Sequence, residues 1–315
     1  MNVVILKFGG SSLATHELRE IAASRVLDAV RRGDSPVVVC SALGRAPEPY
    51  ATDTLAELLG PVRNGPNRDL LLACGEAIAS AVFAELLCAL GMPAQAMTGL
   101  QAGITTDGEF GDAEIVAVDP EPIRQVLARG VIPVVTGFQG GTAEHATTTL
   151  GRGGSDLTAV ALGDALGAAA VEIYTDVSGV MTGDPRRVAG THPLERVTQA
   201  EMVELSGNGA KVMHHKAAEL ARATRTPYVV KGLRSNVGTT VDDDAPVDSD
   251  HPVTGLTVLR DVTFCRIIQG LTEDSDRSNL DRDVLGRVAE RGISVDMTNV
   301  NDAGVFFIVD DEHAD

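Results

Sequence analysis

Along the chain, short runs of consecutive apolar residues alternate with longer stretches in which apolar positions recur every three or four residues. Residues 3–8 and 36–41 have the first pattern and are expected as strands; residues 17–32 between them have the amphipathic period of a helix. The rhythm continues with a helix over 70–90, a strand over 94–98, a helix over 121–128, a strand over 132–136, a helix over 155–166 and a strand over 170–174. Runs that are apolar at every position, such as Val37-Val38-Val39 and Val134-Val135, suit parallel strands covered on both faces. The alternation predicts an open, mainly parallel α/β sheet.

The pattern stops at residues 241–251, where Asp242-Asp243-Asp244, Pro246 and a second acidic pair replace any apolar period, with Pro252 directly after. Beyond it, strands over 257–259 and 263–269, a helix over 281–291 and strands over 294–299 and 304–309 predict a small α+β unit. The expected organisation is a catalytic domain at 1–243, a linker at 244–254 and a second unit at 255–315.

Composition narrows the function. With 44% hydrophobic but only 3% aromatic residues and no Trp, the core must be aliphatic, which disfavours an aromatic platform for bases or sugars. A formal net charge of −18 repels nucleic acid and anionic membranes, so neither is an expected partner. Cys40, Cys74, Cys88 and Cys265 show no CxxC spacing and argue against disulfides or zinc. The chain enters its first strand without a cleavable leader, and no apolar stretch is expected to span a bilayer, so the expectation is a soluble, cytoplasmic protein.

Four segments carry candidate chemistry. Lys7-Phe8-Gly9-Gly10-Ser11-Ser12 ends the first strand, where parallel sheets bind ligands and where glycine lets backbone N–H groups reach phosphate; a tight turn with a solvated Lys is the alternative. Gly151-Arg152-Gly153-Gly154-Ser155-Asp156 opens a helix, with Arg152 able to clamp a carboxylate and Asp156 to orient a Lys or an ammonium. Ser155 could equally be a plain helix cap. The stretch from Tyr174-Thr175-Asp176 through Met181 to Asp184-Pro185-Arg186 leaves a strand end with the groups an adenine nucleotide and its magnesium use. In Gly209-Ala210-Lys211-Val212-Met213-His214-His215, Lys211 could reach phosphate, while the adjacent histidines are expected on a helix surface rather than on a metal. Glu76 is expected at the start of an apolar helix, as a first-turn charge or as a partner for a substrate ammonium.

Taken in order, these segments with Gly75-Glu76, Thr105-Thr106-Asp107-Gly108 and Gly137-Phe138 resemble the aspartokinases of the amino acid kinase family, over about three quarters of the chain. The resemblance implies a three-layer αβα kinase domain that transfers the γ-phosphoryl group of ATP, with Mg2+, to the β-carboxylate of aspartate. It implies Lys7, Lys211 and Asp156 as catalytic, with Gly9, Gly10, Ser11, Gly153 and Gly154 around the phosphates. Ser41, Glu76, Phe138, Arg152 and Ser155 would hold the amino acid, and Tyr174, Thr175, Asp176, Met181, Asp184 and Arg186 the nucleotide. Where the family reads Ser-Ala-Met-Gly and a long insertion, this chain has Ser41-Ala42-Leu43-Gly44 and then Arg45-Ala46-Pro47-Glu48. A different small carboxylate or amino-acid acceptor, or a non-catalytic ligand-binding role, are the alternatives. Residues 257–309 resemble the opening of a regulatory ACT unit, a partial ferredoxin-like fold whose second copy and closing strand are not seen; the expectation is a homodimer with altered feedback.

Overall fold

The structure, a computed structural model, describes residues 2–60, 62–210, 212–243, 253–258, 262–267, 280–291, 293, 295–301 and 304–311. In chain order the first elements are β1 (Val3–Phe8), α1 (Gly10–Leu13), α2 (His16–Arg31), β2 (Ser35–Cys40), α3 (Thr52–Glu57), α4 (Pro66–Ala89), β3 (Ala94–Met97), β4 (Ile104–Thr106) and β5 (Ile115–Val118). They continue with α5 (Glu121–Ala128), β6 (Ile132–Thr136), β7 (Gln139–Gly141), β8 (Thr147–Thr149), α6 (Gly154–Leu166), β9 (Ala170–Thr175) and β10 (Arg196–Val197). Then follow α7 (Gln199–Gly207), α8 (His215–Thr224), β11 (Tyr228–Gly232), β12 (Gly238–Val241), β13 (Val262–Ile267), α9 (Leu280–Glu290), β14 (Asp296–Asn301) and β15 (Gly304–Asp310).

An eight-stranded sheet in the order β10-β12-β11-β9-β1-β2-β6-β3 organises the larger unit, and β1 lies parallel between β2 and β9. Every residue of β1 is buried, including Lys7, which interrupts its apolar run. Side chains of a strand alternate between faces. Val3 and Ile5 therefore join the core beneath α5, α6, α7 and α8, while Val4, Leu6 and Phe8 join the one beneath α2 and α4. Helices on both faces make three αβα layers, the fold class expected. A second sheet, β5-β4-β7-β8, was not foreseen, because strands of three or four residues give too short a run for alternation to register.

Helix ends follow from local chemistry. Thr15 caps α2 by accepting from the Leu18 N–H, and Thr198 and Glu201 form a capping box at α7. α6 runs between two left-handed glycines, Gly153 and Gly167. Ser155 therefore does not cap that helix; it lies inside the first turn. α4 is long and apolar enough to cross a bilayer by length and composition, contrary to expectation, yet half of its apolar window is buried and it carries Asp69, Glu76 and Ser80 into the core.

The chain divides into two compact units, Met1–Thr257 and Val258–Asp315. In the second, β13, β15 and β14 form an antiparallel sheet in that order, and Val305, Phe307 and Val309 pack with Val284, Leu285 and Val288 of α9. The strand expected at 257–259 does not form at Thr257 or Val258, and Leu259 lies outside the described residues. So do 244–252 of the expected linker.

Candidate active site

The alternation that buries β1 also aims its one charged side chain. Lys7 shares the face of Val3 and Ile5, the face covered by α6, and its Nζ lies 2.6 Å from Asp156 Oδ1. Burying each neighbouring Ile or Leu contributes about 1.5–3 kcal/mol, whereas burying an ammonium costs more than that unless it is paired. Asp156, in the first turn of α6, supplies the pair. The two carboxyl-end glycine segments are thus tied together through their charged residues.

The backbone converges at the same place. The Gly9 N–H donates to the Tyr174 carbonyl at 3.3 Å, which joins the end of β1 to the end of β9. A Cβ on Gly10 would lie 2.6 Å from the carbonyl oxygens of both Ala42 and Gly44, so only glycine lets the loop after β2 approach. Ser11 is half-buried beside them, and the Ser41 N–H donates to Phe8 O at 3.1 Å. Across the site, Gly153 adopts a left-handed φ of 71°, and a Cβ there would lie 2.0 Å from His214 Cγ. Ser155 packs against Gly137, Gly154 against Phe138 and Leu150, and Phe138 itself takes a φ of 66°. Arg152 is exposed on the loop. His214 is the residue before α8, not on its surface as expected; burial lowers its pKa, partly opposed by the Asp156 charge.

Glu76 does not begin its helix but sits mid-way along α4, buried, with Oε1 accepting from the Ala42 N–H at 3.1 Å. Its Oε2 has no hydrogen-bond partner among the described residues. Burial pushes its pKa up to about 8, against the opposing pull of the Ala42 bond. Cys40, beside Ser80 and Glu76, is pushed up to about 12, so its thiol stays protonated and is no nucleophile.

The predicted nucleotide residues separate. Thr175 follows Ile173 by two positions and so shares the Lys7 face of the sheet, and Asp176 is exposed next to it, accepting from the Thr175 hydroxyl at 3.1 Å. Tyr174 points to the other face: its ring stacks on Phe8 at 5.0 Å and its hydroxyl donates to Glu172 at 2.6 Å. Asp184 and Arg186 pair with one another at 3.0 Å, which holds the Asp184 carboxyl below its ordinary range. Met181 forms a bridge with Pro193, part of the same loop. Lys211 lies outside the described residues; Gly209 before it has a φ of 100°, and Met213 after it is buried.

Comparison with known proteins places this geometry. The model of the amino acid kinase family matches residues 2–232. The chain belongs to the amino acid kinase family. Within it, aspartokinase 1 of Bacillus subtilis is 39% identical over 98% of this chain and 78% of its own length, and the Corynebacterium glutamicum aspartokinase is 39% identical over 97% and 72%. Among solved structures, Escherichia coli aspartokinase III in complex with aspartate and ADP superposes with a TM-score of 0.76 at 26% identity, covering 98% of this chain and 79% of that one. Aspartate kinase from Synechocystis, at 33% identity, gives 0.65 over 97% and 52%.

Some residues of this amino acid kinase site escaped the sequence. Asp69 is fully buried on α4, and its Oδ2 accepts from the backbone N–H groups of Gly111 at 3.0 Å and Thr149 at 2.6 Å, anchoring the strand that leads into Gly151. Asp69, Glu76 and Ser80 fall at seven- and four-residue spacings, a polar stripe on one face of an apolar helix, and that spacing was a readable signal. Thr54 in α3 keeps a buried hydroxyl without a partner among the described residues.

Proposed function

We infer that this chain transfers the γ-phosphoryl group of ATP to the side-chain carboxylate of L-aspartate, giving 4-phospho-L-aspartate. It is an aspartokinase-type phosphotransferase with a carboxyl group as acceptor. The observation that carries the assignment of roles is the buried Lys7–Asp156 pair at 2.6 Å, set between two glycine segments at the carboxyl ends of β1 and β8.

The chemistry asks little of acids and bases. A carboxylate acceptor is already ionised at neutral pH, so positioning and charge stabilisation dominate. Lys7 neutralises charge on the transferring phosphoryl group, and Lys211 joins it from the α7–α8 connection. Asp156 orients Lys7. Gly9, Gly10 and Ser11 line the phosphates from one side and Gly153 and Gly154 from the other. Arg152 and Ser155 engage the aspartate carboxylates with Ser41 and the Phe138 backbone, and the free oxygen of Glu76 receives its ammonium. Thr175, Asp176 and Met181 border the nucleotide, with Asp184 and Arg186 further along the loop; Tyr174 contributes its carbonyl and a buried brace.

Among the described residues no group of three or more His, Cys, Asp or Glu side chains could cage a metal. Mg2+ usually binds through substrate phosphates and one or two carboxylates, for which Asp176 and Asp156 are the candidates; bound there, it would screen phosphate charge. ATP, aspartate and a second copy of the chain are the partners, the last supported by β13 and β14 of the small, ACT-like unit, which are edge strands among the described residues. A cytoplasmic location fits this chemistry. The test is ATP consumption across a panel of amino acids and short carboxylates: turnover with aspartate supports the reading, and turnover with another acceptor alone would replace it.

A further inference from the structure

One charged side chain at the site takes no part in the roles above. Arg45 follows Gly44, whose N–H donates to the Gly10 carbonyl at 3.0 Å. Its own carbonyl accepts from Glu48 N at 2.8 Å, which fixes the turn. Gly44 has a φ of 76°, and a Cβ there would lie 2.7 Å from Glu48 Cγ, so the turn is specific to glycine. From this base the Arg45 side chain reaches Asp176 at the end of β9, with Nη2 3.1 Å from Oδ2. The acceptor-side loop and the nucleotide-side loop are thereby linked, with Gly10 of the phosphate loop in contact with the base of the link.

We propose that Arg45 is a further cation of the phosphoryl-transfer site, exchanging Asp176 for the triphosphate of ATP when nucleotide binds. The proposal rests on the reading of this site as an ATP site and extends it to a residue that the recognised motifs do not contain. Two anions meet in the reaction, and Lys7 is already half-committed to Asp156. An additional positive charge is therefore useful where phosphate and nucleotide loops meet. Arg45 and Asp176 are 73% and 49% exposed, so their pairing is screened and holds little stability. A polyphosphate outcompetes such a carboxylate, because it carries more charge and matches the guanidinium fork. The exchange would free the Asp176 carboxylate on the nucleotide side.

The experiment is calorimetric titration of the full chain and its Arg45→Ala and Arg45→Lys variants with ATP and, separately, with AMP, with thermal unfolding as the check on folding. Loss of one charge-assisted bond to phosphate predicts ATP binding weakened about tenfold in Arg45→Ala, partial recovery in Arg45→Lys, and AMP affinity unchanged. ATP affinity within twofold of wild type, or ATP and AMP weakened equally, overturns the proposal. Failure of the wild type to bind ATP would instead remove the ATP reading, and the proposal with it.

Discussion

Lys7 Nζ stands 2.6 Å from Asp156 Oδ1, with 11% and 13% of the two side chains exposed. One strand residue and one helix residue, far apart in sequence, form a pair that neither could afford alone. Removing one partner leaves a buried charge uncompensated, at a cost of about 3–5 kcal/mol. Asp156→Asn keeps the shape but withdraws the charge, and should lower both thermal stability and kcat. Chemical denaturation alongside steady-state kinetics checks this; unchanged stability would show that the pair is not buried as described.

Glu76 gives a pH dependence with a definite sign. Its carboxyl is raised from an ordinary 4.5 to about 8 by burial. The folded state therefore keeps a proton that the unfolded chain releases, and the group's contribution to stability is complete below about 4.5 and lost as pH rises through about 8. Glu76→Gln should remove that slope from denaturation curves taken across the window. If the ionised form receives the substrate ammonium, KM for aspartate should also fall as pH rises toward this value in the wild type, and be higher and flat in the variant.

The contact between Gly153 and His214 makes a steric prediction. Gly153→Ala adds a carbon 2.0 Å from the imidazole at a φ of 71°, so both a clash and backbone strain arise. Turnover should drop and the melting temperature fall. Adding His214→Gly, which removes both the Cγ at 2.0 Å and the Cβ at 2.1 Å from the new carbon, should recover only part of the loss, since the clash is relieved and the strain stays; full recovery would mean that the left-handed conformation is unimportant.

Tyr174 and Thr175 should behave oppositely although they are adjacent. Tyr174→Phe removes a hydroxyl that braces Glu172 on the far face, costing about 1–2 kcal/mol of stability with KM for ATP within about twofold of wild type. Thr175→Val, on the Lys7 face, should raise KM for ATP at little cost in stability. Kinetics with ATP varied at saturating aspartate separates the two.

The same pair shows how far the sequence could be read. The main strands and helices were legible because buried parallel strands are apolar at every position, and β6 and α5 form where expected. Lys7 stood out as a charge interrupting such a run. Counting positions from Lys7 to Phe8, and from Ile173 to Tyr174, would already have placed Tyr174 on the opposite face, but motif resemblance treated neighbours as one site. Asp69 was missed because an acid in a first helical turn has an ordinary explanation in the helix dipole. Only the fold shows that it is fully buried and holds Thr149 and Gly111. The β5-β4-β7-β8 sheet was illegible for a different reason: its strands are short, and β7 and β8 are made of Gln, Gly and Thr, so packing rather than pattern defines them.

The central claim is transfer of phosphate to the aspartate side chain with Lys7 bearing the developing charge. The most direct measurement traps the acyl phosphate with hydroxylamine and quantifies aspartyl hydroxamate for the wild type and Lys7→Ala under saturating ATP and aspartate. The account predicts aspartate-dependent hydroxamate in the wild type and a rate lower by about 10²–10³-fold in the variant, the scale expected for losing one preorganised charge at a transition state. Hydroxamate formed at equal rates by both proteins, or none formed from aspartate by the wild type, would contradict it.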